Sequence, residues 1–223
     1  RDSMNNIDWD FISKLEGNRL RGYVPDADES KSGVTIASGF DLGARVLSDL
    51  SGLPDNIIQK LKPFLGYKGA EAAKLAGGLK VSKSEANTIN EFAKTKASEN
   101  LASAWKQATG EAFSTLDRGK ATAVASVAFQ YGNLPTETPR FWNAVTSNNW
   151  SGAIKELRDF KDRYPSRRNK EADYLVANID LGTDVGKFDD LSNVELAELV
   201  QGKIEESRQL RSEDEPEVQT VTA

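Results

Sequence analysis

The sequence predicts a mainly α-helical protein with one small antiparallel sheet near its N-terminus. Three observations predict it. Apolar residues recur at helical spacing in most segments between residues 7 and 179. Strand-like alternation, punctuated by glycine and proline, is confined to residues 19–39. A hydrophobic fraction of 38% against 28% charged residues, over 223 residues, is that of an ordinary globular chain, long enough for one large domain or two modest lobes.

The elements follow in order. "IDWDFISKLEG" puts Ile7, Phe11, Ile12 and Leu15 on one helical face, and Gly17 stops it. "RLRGYVPDADESKSGVTIASG" carries Pro25, Gly33, Gly39 and a polar cluster from Asp26 to Ser32, and reads as a small sheet around a loop. "LPDNIIQKLKPFLG" reads as a helix, with Pro54 near its first turn and Ile57, Ile58, Leu61, Phe64 and Leu65 as the buried stripe. A capping box, Ser82 and Glu85, opens a helix running to about Gln107, long enough to link two lobes. "LDRGKATAVASVAFQYGN" is capped by Asp117 and is small or apolar almost all round from Ala121 to Phe129, as a helix enclosed by others must be. "FWNAVTSNNWSGAIKELRDFKDRY" and "RRNKEADYLVANI" add three amphipathic segments. The organisation expected is a sheet lobe over about 17–80, a linking helix over about 84–107 and a helical lobe over about 108–180. Beyond Ile179, a loop over 181–191 leads to a second capping box, Ser192 and Glu195, and a last helix ending near Leu210 that is expected to pack on the main domain. The polar tail 211–223 is expected to be disordered.

Composition removes whole classes of chemistry. With no cysteine and no histidine there are no disulfides, no Cys-His or Ser-His-Asp nucleophiles and almost no route to zinc. Catalysis must run on carboxylates, hydroxyls, Lys, Arg or Tyr. A net charge of −5 argues against a nucleic-acid partner. No apolar run approaches the roughly 20 residues that span a bilayer, so no membrane insertion is expected. "RDSMNNIDWDF" has no secretory h-region, and a start at Arg suggests a piece of a longer or processed polypeptide.

Oddly placed carboxylates then become the question. Glu16 falls in the last turn of its helix, at the edge of the apolar stripe near Trp9 and Ile12. The helix dipole and the apolar neighbours both disfavour its charge, which suits a general acid; a solvated helix end is the ordinary alternative. Asp41 follows the Val34–Ala37 strand and the Ser38-Gly39 pair, and its ordinary role is to cap a helix through Leu42 to Leu47. Thr35 alone is a strand former. Together, an acid at a helix end and a Thr and an Asp at the exit of the following sheet can surround one cleft, the layout of a two-carboxylate glycosidase.

The motif series "FISKLEGNRLRGYVPD…GVTIASGFDLG", "VSKSEANTINEFAKTKASENLASAW", "STLDRGKATAVASVAFQYGN", "RFWNAVTSNNWSGAIKELRDF" and "RYPSRRNKEADYL" resembles phage-type lysozymes, in order and over about residues 5–180. The loop between Tyr23 and Thr35 is longer than in ordinary phage lysozymes, and "TIASGFD" replaces their glycine-rich ending. This form is most similar to the pesticin-type branch, the muramidase domain of bacteriocins and related bacterial toxins.

The resemblance implies an α+β lysozyme-like fold and a catalytic set of Glu16, Thr35 and Asp41. Asp26 competes with Asp41 for the second acid, because the ordinary family's Asp falls near it; its other reading is loop solvation beside Asp28 and Glu29. Gln130 resembles a sugar-binding amide of the cleft, Tyr23 either lines that cleft or packs the sheet, and Arg168 matches an Arg that pairs with the catalytic Glu, with Arg167 and Arg163 as alternatives. The implied activity is cleavage of the β-1,4 bond between N-acetylmuramic acid and N-acetylglucosamine, with no metal or organic cofactor. Glu16 would act as the acid, and Asp41 and Thr35 would hold the attacking water. Inversion is expected if the carboxyl groups lie about 6.5–9.5 Å apart. Arg19, Arg21, Arg167 and Arg168 are candidates for a basic field toward the anionic glycan. Expected partners are peptidoglycan strands and a cognate inhibitor made by the producing cell, with the chain itself a monomer acting in the periplasm or cell wall. A phage endolysin, a chitosanase or chitinase, and a wall-binding module without activity are the rival readings.

Overall fold

In the computed structural model, which describes residues 4–25, 31–178 and 205, helix α1 spans Trp9–Glu16. Asp8 caps it, its Oδ1 accepting from Phe11 N at 3.0 Å, and Gly17 ends it with φ 69°. The sheet follows as β1 (Arg19–Tyr23), β2 (Thr35–Ala37) and β3 (Phe40–Asp41), antiparallel and in sequence order, with β2 central. Strand β3 is a finding of the structure: Asp41 stands in the sheet, and the helix read through Leu42 to Leu47 is replaced by a turn and a 3₁₀ segment at Leu47–Leu50.

Two compact units make up the described chain. The first covers Asp8–Ser103. Its core joins Val34, Ile36, Phe40 and Leu42 of the sheet region to Ile57 and Leu61 of α2 (Asp55–Leu61) and to Ala72 and Ala76 of α3 (Gly69–Ala76), all under 5% exposed. The stripe expected over "LPDNIIQKLKPFLG" therefore lies in two pieces. Helix α2 stops at Leu61 and a 3₁₀ turn, Lys62–Phe64, completes it, because Pro63 offers no N–H to continue the ladder. Helix α4 (Lys83–Thr109) begins where the capping box places it, with Glu85 N donating to Ser82 Oγ at 3.1 Å. Lys94 on α4 lies 5.7 Å from the centre of the Trp9 ring on α1.

The second unit takes residues 4–7 and those from Ala104 onward. Helix α5 (Arg118–Tyr131) is capped as expected, Lys120 N donating to Asp117 Oδ1 at 2.9 Å, and its residues 119–128 are all buried. Around it follow α6 (Leu134–Glu137), α7 (Pro139–Thr146), α8 (Trp150–Arg158) and α9 (Pro165–Ala177), with α5 packed on α6 and α9, and α8 packed on α7 and α9. Trp105 stands edge-on to Phe113 and Trp142, with ring centres 5.5 and 5.8 Å away. The architecture is mainly α with one small sheet, as the sequence predicts. Asp26 and, apart from Glu205, the helix read over 192–210 lie outside the described residues.

Candidate active site

Strand pairing brings three of the named residues into one row. Tyr23 on β1 stands opposite Thr35 on β2, and Thr35 stands opposite Asp41 on β3. Directly opposed residues of antiparallel strands project from the same face, so the phenol, the hydroxyl and the carboxylate share one side of the sheet. The strand neighbours of Thr35, Val34 and Ile36, project to the other face and are both 0% exposed, while Thr35 itself is 2% exposed.

Gly33 ties the acid and the hydroxyl together. Its N–H donates to Asp41 Oδ1 at 3.0 Å, and its carbonyl accepts from Thr35 Oγ1 at 3.1 Å. Asp41 Oδ1 accepts a second time, from Gly43 N at 2.7 Å. One carboxylate oxygen is thus fixed by two backbone donors, which restrains the orientation of the group. The clamp depends on two bare α-carbons. A β-carbon on Gly33 would lie 2.2 Å from Gly43 Cα, and one on Gly43 would lie 2.7 Å from Gly33 Cα. Both neighbours are backbone and cannot swing aside. Gly33→Ala is therefore expected to cost about 1–3 kcal/mol by overpacking and to displace Asp41, which denaturant titration and glycan-cleavage assays would register together.

Arg45 holds β3 from its other side. Its Nε donates to the Asp41 carbonyl at 2.8 Å, and its guanidinium carbon stands 4.2 Å from the centre of the Phe40 ring. Burial lowers the guanidinium below its ordinary value, while Asp49 and Asp41 act in the opposite direction.

Glu16 reaches the same hairpin from α1. The turn between β2 and β3 is bonded to the end of that helix, with Ser38 Oγ donating to the Gly17 carbonyl at 2.7 Å. Asn90 on α4 locks the junction by accepting from Ser38 N at 3.0 Å and donating to Asn18 Oδ1 at 3.3 Å. Glu16 Oε1 is shielded from solvent, and Oε2 lies 3.4 Å from where a β-carbon of Gly39 would stand. Gly39, at φ 99°, is two residues before Asp41. Its missing side chain lets the carboxyl of Glu16 lie against the turn. Asn90 and Gly43 contact these residues without having been singled out in the sequence, and Gly33 reads there only as a turn signal; Asn90 meets Ser38 from 52 residues away, and Gly33 meets Asp41 across the sheet.

Gln130 and Arg168 meet each other in the second unit. Arg168 is 0% exposed and Glu171 is 0% exposed. Arg168 Nη1 lies 3.0 Å from Glu171 Oε2, its Nε lies 3.4 Å from Asp162 Oδ2, and Nη2 donates to Gln130 Oε1. The other Glu171 oxygen accepts from Ser126 Oγ at 2.5 Å and Arg167 Nε at 3.1 Å. Tyr131 donates to Asp162 at 2.7 Å; burial, more than that bond, pushes its phenol upward. Arg168 was expected to bind substrate or pair with the acid at a helix end. Within its own unit it lies beside the carboxylates of Glu171 and Asp162 and donates to Gln130. The basic start of α9, whose ordinary reading is a solvated face, is here turned inward.

Among the described residues there is no group of three or more His, Cys, Asp or Glu side chains able to hold a metal ion. None of their helices is long and apolar enough to cross a membrane. No curated protein matches the sequence. A family model described as "Pesticin: Bacterial toxin homologue of phage lysozyme, C-term" matches residues 6–151, a stretch that includes Glu16, Tyr23, Thr35, Asp41 and Gln130 and stops short of Arg168. With well over half of its length matched, and with the small sheet and helical remainder described above, the chain belongs to the pesticin family of bacterial toxin homologues of phage lysozyme.

Proposed function

We propose that the chain is the killing domain of a bacterial toxin, a muramidase that hydrolyses the β-1,4 bond between N-acetylmuramic acid and N-acetylglucosamine in peptidoglycan. The observation that carries this is the row of Thr35 and Asp41 anchored on Gly33, in a hairpin whose turn abuts the Glu16 carboxyl. Glu16 delivers its proton to the glycosidic oxygen. Thr35 spends its single hydroxyl proton on the Gly33 carbonyl, so toward a ligand it can only accept, and a carboxylate likewise only accepts. Two acceptors side by side take both protons of one water and leave a lone pair of its oxygen directed at the anomeric carbon. That arrangement favours direct attack by water and inversion of configuration. Gln130, braced by Arg168, is proposed as a sugar-binding amide, and Tyr23 as the wall of the groove beyond Thr35.

This activity places the domain at the cell wall of a target bacterium, on its periplasmic side. A toxin of this kind needs a cognate inhibitor in the producing cell, and the catalytic face of the sheet is where such a protein would act. The reading is tested on purified, peptide-free glycan strands, followed by NMR of the newly formed reducing ends. New reducing ends on N-acetylmuramic acid, first seen as the α-anomer, are the expected result. Reducing ends on N-acetylglucosamine, preferential cleavage of chitin or chitosan, or binding without cleavage would each overturn it, and a first-formed β-anomer would make Asp41 a nucleophile instead.

A further inference from the structure

One cation on the proposed catalytic face is stacked on a ring and, among the described residues, makes no hydrogen bond or ion pair. Arg19 opens β1, opposite Ala37, and its guanidinium carbon stands 4.2 Å from the centre of the Tyr23 ring. Tyr23 belongs to the row that continues through Thr35 to Asp41. The stack therefore sets a positive charge on the same face as the hydroxyl and the acid, at the end of the row away from Asp41. The guanidinium is exposed, and among the described residues none of its five N–H donors meets an acceptor. Arg21, two residues on, makes the contrast: its Nε donates to the Gly77 carbonyl at 3.2 Å, so that side chain is tied to the loop after α3. Stacking on an aromatic ring fixes the plane of a guanidinium while leaving its donor edge open, the geometry that suits a planar carboxylate.

We propose that Arg19, positioned by Tyr23, reads a carboxylate of the glycan and thereby selects acidic strands over neutral ones. The inference rests on the muramidase reading above and deepens it. The carboxylate in question is the free lactyl group of a peptide-free muramic acid or, where a stem peptide holds that group as an amide, a carboxylate of the peptide itself. Neutral N-acetylglucosamine polymers have neither. A charged hydrogen bond of this type contributes about a tenfold preference.

The experiment compares kcat/KM on three substrates: peptide-free glycan strands, the same strands with their carboxyl groups converted to amides, and intact peptidoglycan. The wild type should prefer native to amidated strands about tenfold, and Arg19→Gln should lower that ratio to near one through KM. Tyr23→Phe should keep the ratio, Tyr23→Leu should reduce it, and Arg21→Gln, which removes an equal charge, should leave it as in the wild type. A preference that survives in Arg19→Gln, or is lost equally in Arg21→Gln, overturns the proposal and reduces the effect to a diffuse basic field. A preference confined to intact peptidoglycan assigns the stem peptide as the carboxylate read; one present on peptide-free strands assigns the lactyl group. If the wild type cleaves none of the three, the muramidase reading itself fails, an outcome distinct from the loss of selectivity alone.

Discussion

Glu16→Gln is expected to lower the rate of glycan cleavage by about 10²–10⁴-fold with the fold unchanged. Glutamine matches the carboxyl group in shape but has no proton to give to a departing sugar oxygen. The lost rate measures acid catalysis because little else should change. Helix α1 is held by its Asp8 cap and by Ile12, which is 1% exposed, and neither depends on the charge at its last residue. The Gly17–Ser38 bond and the Asn90 contacts that tie the hairpin to this helix end use other groups. Thermal melts of wild type and variant should therefore superimpose while clearing of a peptidoglycan suspension disappears. Equal clearing by the two proteins would remove Glu16 from the mechanism. Asp41→Asn complements the test: the amide oxygen can still accept from Gly33 and Gly43, so the hairpin persists while the charge proposed to orient water is gone.

Much of this site could be read from the chain because its signals are local. An acid beside Gly17 at a helix end, a β-branched strand and a glycine-hinged hairpin are each written within a few residues. Capping pairs were equally legible: Ser82 with Glu85, and Asp117 with the first turn of α5, form where their spacing places them. The unread features depend on distant partners. Asp41 looks like a helix cap, yet Gly33, eight residues earlier, donates to it across the sheet, and a tertiary contact displaces a local preference. Strand β3 has two residues, too few for any alternation to show. Helix α3 was missed because its buried face is Ala72 and Ala76, small residues between glycines that give little apolar signal. The start of α9 carried its own clue: Arg167 and Arg168 stand four and three residues before Glu171, where both can turn toward one carboxylate.

That cluster carries the largest expected effect on stability. Arg168→Met should destabilise the protein by about 3–5 kcal/mol, lowering the melting temperature by roughly 10 °C. The directions of the two ionisations explain why. Burial is the main influence on both side chains, pushing Glu171 up and Arg168 down, so each is driven toward neutrality despite the attraction between them. A buried ion pair of this kind is in general no net source of stability compared with a well-packed apolar core. Removing one partner is a different matter. It leaves Glu171, at 0% exposure, with Arg167 and Ser126 alone, and deprives Gln130 of its donor. Adding Glu171→Leu to Arg168→Met should then recover part of the loss, because no buried carboxylate remains. Recovery stays incomplete, since the Arg167 guanidinium, only 9% exposed, keeps its bond to the Ser126 carbonyl at 2.9 Å and loses its bond to Glu171. Urea titrations of the two single variants and the double variant give the coupling directly. A single variant as stable as the wild type, or a double variant whose loss is the sum of the singles, would show that the buried charges act independently and that something else holds α9 against α5.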